Sequence, residues 1–281
     1  MEPYEIIHAI AEMTENLQPI PQVAARVMEM MGDADTSCKE LSSVISKDPG
    51  LTSRILSLSN APYYRRMESI TSLNMAVMIL GFGTIQSLVL TIAVGLIFGR
   101  TTARGSLAQI WEHSVAAALV SELLAKRLGL REQETYYIAG LLHDVGKFVF
   151  CQRFPEKFRE GLKMARTEGI PFFESERIQF GFDHAQLGQA VLRKWHLPEI
   201  YHAPVAHHHR TDSLRRGETP TLVVHVADNM AHEILQSEGD GEWKPEAVAL
   251  ERLGVGEADI HEMASKDKGM ILENLELIVK S

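Results

Sequence analysis

From Leu73 to Phe98 the chain carries no charge, and only Asn74, Thr84, Gln86, Ser87 and Thr91 interrupt an otherwise apolar, glycine-containing run. A stretch of that kind has two solutions: a membrane-spanning helix, or helices buried on every side in a helical core. Gly81-Phe82-Gly83-Thr84 falls in the middle of it, where one helix ends and the N-cap of the next belongs. The break favours two buried helices joined by a turn, although hydropathy by itself does not separate the two solutions. No membrane span is expected.

The rest of the chain reads as helix as well, and strand-like alternation is scarce. Ile20, Val23, Val27, Met30 and Met31 share one helical face behind Pro19 and Pro21. Asp33–Ser37 reads as a turn, Leu41, Val44 and Ile45 as a second stripe closed by Asp48-Pro49-Gly50, and Leu51, Ile55 and Leu58 as a third. Gly99–Gly105 is a polar connection and a candidate boundary. Beyond it helices are expected over Trp111–Leu128, Gln133–Phe150, Pro155–Gly169, Glu174–Phe180, Asp183–Trp195 and Pro220–Leu235. A glycine- and glutamate-rich loop at 237–242 precedes a last helix whose Met263, Ile271, Leu275 and Ile278 form a docking face. The expected architecture is all-α: an N-terminal helical bundle (1–100) packed on a larger helical domain (101–236), with a C-terminal helical extension (237–281).

At 281 residues and 45% apolar composition the chain can build one large core or two smaller ones. A net charge of −9 argues against general nucleic-acid binding, which needs a surplus of Lys and Arg to displace counterions. Cys38 and Cys151 are too few and too scattered for a disulfide framework, and Met-Glu-Pro-Tyr-Glu is not a secretory leader, so a cytoplasmic location is expected.

The chemistry concentrates at Ala139-Gly140-Leu141-Leu142-His143-Asp144-Val145-Gly146-Lys147. An imidazole beside a carboxylate suits borderline or hard cations such as Fe, Mn, Zn or Co. Consecutive helical side chains diverge by about 100°, so His143 and Asp144 share an ion only if the helix ends there or the ion sits over its flank. His113, His184, His207, His208 and Asp228 are the further ligand candidates. His113 alone on its helix would more often be a core histidine, but its helix leads directly into the His-Asp helix as an antiparallel neighbour. Asp228 lies in an apolar stretch and needs a partner, whether a metal, an arginine or a helix N-terminus. His207, His208 and His209 cannot all face one ion, and a solvated histidine run is the plain alternative. Lys147 can meet a phosphate as a point charge or be an ordinary surface lysine. His225 and His232 read as structural or exposed.

Ile20-Pro21-Gln22-Val23, Lys47-Asp48-Pro49-Gly50-Leu51, Asn60-Ala61, Ile79-Leu80-Gly81, Phe180-Gly181-Phe182-Asp183-His184-Ala185-Gln186-Leu187-Gly188 and Trp195-His196-Leu197-Pro198 occur in that order. Together with His207-His208 this series resembles the HDOD family of bacterial signalling proteins over roughly residues 15 to 235. These are relatives of the HD phosphohydrolases and of the HD-GYP cyclic-dinucleotide phosphodiesterases. The resemblance implies an HD-type helical domain and a regulatory role, with some metal ligands typically lost. Carried over position by position, the HD-GYP ligand set falls on His113, His143, Asp144, His184, His207, His208 and Asp228, with Lys147 matching the motif lysine. The glutamate expected after the paired histidines is His209, the Gly-Tyr-Pro loop has no counterpart in Arg210–Gly217, and Gln109 stands where some three-metal relatives have glutamate.

Two functions follow. In the first, the chain is a signalling adaptor that binds a protein partner or a nucleotide, with one or two divalent ions held structurally. In the second, it is a metal-dependent phosphohydrolase for nucleotides or cyclic dinucleotides, with Asp144 and Lys147 at the reaction centre. The resemblance favours the first and the intact ligand set favours the second. On balance the adaptor leads, with slow or undetectable turnover of cyclic dinucleotides expected.

Overall fold

The computed structural model describes residues 3–15, 17–30, 36–64, 69–98, 105–211, 214, 218–236 and 244–280, and no strand occurs among them. The connections read at Asp33–Ser37, Gly99–Gly105, Arg210–Gly217 and 237–242 fall wholly or largely outside the described residues. The fold is all-α, as expected.

The N-terminal part comprises α1 (Pro3–Glu15), α2 (Gln22–Glu29), α3 (Cys38–Ile45), α4 (Pro49–Ser59), α5 (Leu73–Leu80) and α6 (Phe82–Phe98). The starts of α3, α4 and α5 are set by short polar side chains that satisfy orphan amides. Ser37 and Glu40 form a reciprocal capping box at α3, Asp48 accepts from the Leu51 amide at α4, and Ser72 accepts from the Met75 amide at α5. The uncharged run is indeed broken: α5 and α6 meet at 120° across Gly81, whose φ is +87°. Every residue from Ile85 to Val94 on α6 is buried, because α2, α4, α5 and a later helix over Gln133–Leu142 surround it. No helix among the described residues is by itself long and apolar enough to cross a membrane.

The second part begins with α7 (Ser106–Arg127), which packs along α8 (Gln133–Leu142), α14 (Thr219–Leu235) and α16 (Glu257–Lys280). Between α8 and α14 come α9 (Val145–Arg153), α10 (Pro155–Glu168), α11 (Phe172–Phe180), α12 (His184–Lys194), a 3₁₀ turn (Glu199–Tyr201) and α13 (His202–His207). A short α15 (Ala247–Leu253), unforeseen in the sequence, precedes α16. Met263, Ile271, Leu275 and Ile278 are buried, and α16 packs on α7 and α14, so the expected docking face is filled by the chain itself.

One expected helix is corrected. Gln133–Phe150 is two helices, broken at His143–Asp144. Two glycines let their neighbours close on that break. A Cβ on Gly140 would stand 2.7 Å from the Ala117 carbonyl oxygen of α7, and one on Gly146 would stand 2.0 Å from the His184 carbonyl oxygen of α12. Hydrogen in place of a side chain therefore draws α7 and α12 onto the two sides of the His-Asp turn.

Candidate metal centre

The helix stops at Leu142, His143 keeps helical backbone angles and Asp144 leaves them (φ −100°, ψ 13°), and both side chains reach one buried space. α7 contributes His113 and α14 contributes Asp228, completing a group with His143; its ligand atoms all lie within 4.8 Å of one another. His113 Nε2 stands 2.8 Å from Asp228 Oδ1 and 3.3 Å from His143 Nε2. A second group combines Asp144, His184, His208 and His209, again within 4.8 Å. Here His184 Nε2 lies 3.3 Å from His208 Nε2 and 2.8 Å from His209 Nε2.

Asp144 joins the two groups. Its Oδ2 faces His143 Nε2 at 3.4 Å and His113 Nε2 at 3.7 Å. Its Oδ1 faces His184 Nε2 at 3.2 Å and His208 Nε2 at 3.7 Å, is buried and receives no hydrogen bond. Lys147, one turn on, places Nζ 2.9 Å from Oδ2.

The imidazoles are oriented from behind. His143 Nδ1–H donates to the Gly140 carbonyl at 2.6 Å, and His208 Nδ1–H to the Val205 carbonyl at 2.9 Å. His184 Nδ1–H donates to Glu176 Oε2 at 2.6 Å, and the same oxygen accepts the His184 amide at 2.8 Å. A neutral imidazole that donates from Nδ1 carries its lone pair on Nε2. In the neutral form of each ring, the Nε2 lone pairs of His143, His184 and His208 would face the same buried space, 3.4, 3.2 and 3.7 Å from the Asp144 carboxylate. Ligands about 2.1 Å from an ion at octahedral or tetrahedral angles stand roughly 3.0–3.4 Å apart. The observed spacings run from 2.8 to 3.7 Å, on either side of that range, so small side-chain adjustments would let the buried His and Asp groups hold a metal.

In the metal-free cluster, burial and the neighbouring charges pull the titrating groups in opposite directions. Burial alone would lower the His143 pKa, yet the Asp144 and Asp228 carboxylates outweigh it and carry it up to about 10. Burial likewise opposes His184, which the Glu176 and Asp144 carboxylates raise to about 9. Burial, reinforced by neighbouring histidines, pushes His208 and His209 well below the usual imidazole range. Burial would raise Asp144 and Asp228, but the histidines around them, and Lys147 beside Asp144, hold both well below the usual carboxylate range.

Of the residues singled out in the sequence, His113, His143, Asp144, His184, His208 and Asp228 are brought together, with Lys147 beside Asp144. His207 is not. It is exposed at the last position of α13, while the chain turns so that His208 and His209 face inward. The pair facing the centre is thus 208–209 rather than 207–208, and the position after it is Arg210.

Three further residues were missed. Glu176 is 2% exposed and shares the inward face of α11 with Phe172, Phe173 and Phe180, and that lone carboxylate among aromatics at helical spacing was a readable signal. His225 Nδ1–H donates to the His208 carbonyl at 2.7 Å while its Nε2 accepts the Glu246 amide, a contact made through tertiary structure alone. His232 lies one turn after Asp228, 3.5 Å from its Oδ1, with its ring 4.2 Å from that of His113. His113, Asp144 and Lys147 open onto a pocket of about 390 Å³ between α7, α10 and α14.

Comparison with known proteins bears on the fold that carries this centre. The chain is 24% identical over 242 residues to an uncharacterised protein of Treponema pallidum (strain Nichols), covering 85% of this chain but only 47% of that protein, about half its length. An HDOD domain protein of unknown function from Geobacter sulfurreducens superposes with a TM-score of 0.80 at 24% identity, over 98% of this chain and 97% of that one. A Shewanella amazonensis protein described as a candidate phosphohydrolase superposes at 0.76 with 21% identity, over 96% and 98%. A candidate signal transduction protein from Marinobacter aquaeolei reaches 0.80 at 19% identity, over 98% of this chain and 65% of that one. These likenesses are of fold. The HDOD domain model matches residues 17–211, and the chain belongs to the HDOD domain family.

Proposed function

We propose that this chain is a metal-dependent phosphohydrolase built on the HDOD scaffold, with two divalent ions of the Fe, Mn, Zn or Co type. His113, His143 and Asp228 would hold one ion, and Asp144, His184, His208 and His209 the other, with Asp144 facing both groups. The observation that carries the reading is Asp144: one carboxylate facing imidazole nitrogens on both sides, with one oxygen buried and undonated. Ions at these positions would supply Lewis acidity and lower the pKa of a nearby water. The protein supplies orientation through Gly140, Val205 and Glu176, which fix the imidazole tautomers. Lys147 adds a positive charge at the pocket floor, where a phosphoryl oxygen would gather negative charge.

The balance struck from the sequence shifts here. An adaptor has no need of so many buried ionisable side chains, each of which costs stability unless paired, and these converge on an open pocket. Family membership supports a second reading, in which the centre binds a phosphorylated ligand and the N-terminal bundle, 1–100, passes the signal to a protein partner.

The test is metal analysis of anaerobically purified protein, with turnover of p-nitrophenyl phosphate, nucleotides and cyclic dinucleotides measured after loading with Fe, Mn or Co. Metal-dependent turnover lost in Asp144→Asn supports the hydrolase. Metal bound with tight ligand binding but no turnover moves the conclusion to the regulatory reading.

A further inference from the structure

The two ligand groups differ in what their donor atoms already hold. Asp144 turns a different oxygen to each. Oδ1, which faces His184 and His208, is buried and accepts no hydrogen bond. Oδ2, which faces His113 and His143, is paired with Lys147 Nζ at 2.9 Å. An ion among His113, His143 and Asp228 would therefore stand beside an ammonium and contend with it for the same oxygen. An ion among His184, His208 and His209 would meet an oxygen with its lone pairs open.

The imidazoles differ in the same sense. His184 is backed by the Glu176 carboxylate and His208 by the Val205 carbonyl. In the other group His143 is backed by the Gly140 carbonyl, but His113 Nδ1 is buried with no acceptor among the described residues. An outer partner of a ligating histidine is worth about 10–100-fold in metal affinity. Donor number points the same way. Asp144, His184, His208 and His209 supply four donors, a closed set, whereas His113, His143 and Asp228 supply three and leave a position open. So does access. His113 and Lys147 line the pocket, and none of His184, His208 and His209 is among its lining residues. His209, the half-buried member, lies under the Phe173 ring, stacked at 4.8 Å.

Resting on the metal-site reading above, we infer that the two ions are not equivalent. The Asp144–His184–His208–His209 group keeps a resident ion, and the His113–His143–Asp228 group takes an exchangeable divalent cation through the pocket, in competition with Lys147. Uptake of that second ion draws Lys147 Nζ away from Asp144 Oδ2. The supply of free divalent cation then sets how much of the protein carries two ions, which makes the pocket-facing position the point of regulation.

The experiment is an anaerobic titration of metal-free protein with Co(II) against a chelating indicator, in wild type, Lys147→Met and His209→Ala. Wild type should bind two ions with affinities about tenfold or more apart. Lys147→Met should tighten the weaker site and leave the stronger unchanged, and His209→Ala should weaken the stronger. Lys147→Gln and His209→Gln replace any variant that circular dichroism shows to be unfolded. Two equal affinities, a chain that never exceeds one ion in excess Co(II), or a weaker site that loses affinity or stays unchanged in Lys147→Met overturns the inference. Loss of affinity there is what a merely orienting role for Lys147 would give. Turnover of p-nitrophenyl phosphate in the same samples bears on the hydrolase reading alone: its absence beside two unequal sites defeats that reading and leaves this inference standing. A chain that takes up no ion defeats both.

Discussion

Gly146→Ala isolates what brings the two halves of the site together. The added Cβ would lie 2.0 Å from the His184 carbonyl oxygen, 2.8 Å from its carbon and 2.9 Å from the Gly188 amide nitrogen. All three are backbone atoms, so no side chain can swing aside. Ordinary contact begins near 3.4 Å, which requires α9 and α12 to separate by about 1.4 Å. Overpacking of this kind costs about 1–3 kcal/mol. The functional effect is larger, because metal–ligand distances tolerate only about 0.2 Å and His184 Nε2 sits 3.2 Å from Asp144 Oδ1. Urea unfolding of metal-free protein should show the loss of stability. Metal analysis should show one ion lost from the His184 side while the His113–His143–Asp228 side keeps its own. Gly169→Ala is the control: φ is +64° with nothing within 4 Å of the new Cβ, so about 1 kcal/mol and no change in metal are expected. Full metal occupancy and unchanged stability in Gly146→Ala would refute the close-approach argument.

The exposed His207 and the inward His209 make a paired test. His207→Ala should leave metal content unchanged and His209→Ala should reduce it, read by metal analysis of dialysed protein. Glu176→Ala removes the acceptor of His184 Nδ1–H and should weaken metal binding about 10–100-fold, measured by chelator competition. For the metal-free chain, His143 and His184 are raised above the ordinary histidine value of 6.5 to about 10 and about 9. Their contribution is therefore complete below pH 6.5 and lost as pH rises through 9 to 10. His208 and His209 are depressed and so favour the fold only above the ordinary histidine range. Urea midpoints of apoprotein should accordingly fall between pH 7 and pH 10, whereas a chain insensitive to pH over that window would contradict these charge assignments.

Much of this was legible in the residues. The glycine break at 81 marked two buried helices correctly because an uncharged run must be covered on every side, and α6 is. Asp228 was readable because it set a carboxylate into an apolar stretch, where it needs a partner, and His113 because its helix leads directly into the segment that carries His143 and Asp144. The His207–His209 run was not resolvable, since one residue of turn decides which two rings face inward and no local signal encodes where α13 ends. The helix break at His143–Asp144 was hidden for a related reason. Leu142 and Val145 suit a continuous helix equally well, and tertiary contacts through Gly140 and Gly146 accompany the break. His225 carries no local mark, because its role depends on the carbonyl of His208 and the amide of Glu246, both supplied by distant segments.

The central claim is that Asp144 bridges two metal sites, and the metal content of Asp144→Asn tests it most directly. This variant keeps the side-chain volume while removing the charge that faces both groups. Wild type purified anaerobically and loaded with Fe, Mn or Co should hold two ions per chain, and Asp144→Asn should lose both while remaining folded. A wild-type chain that takes up no ion, or an Asp144→Asn chain that keeps two, would contradict the account.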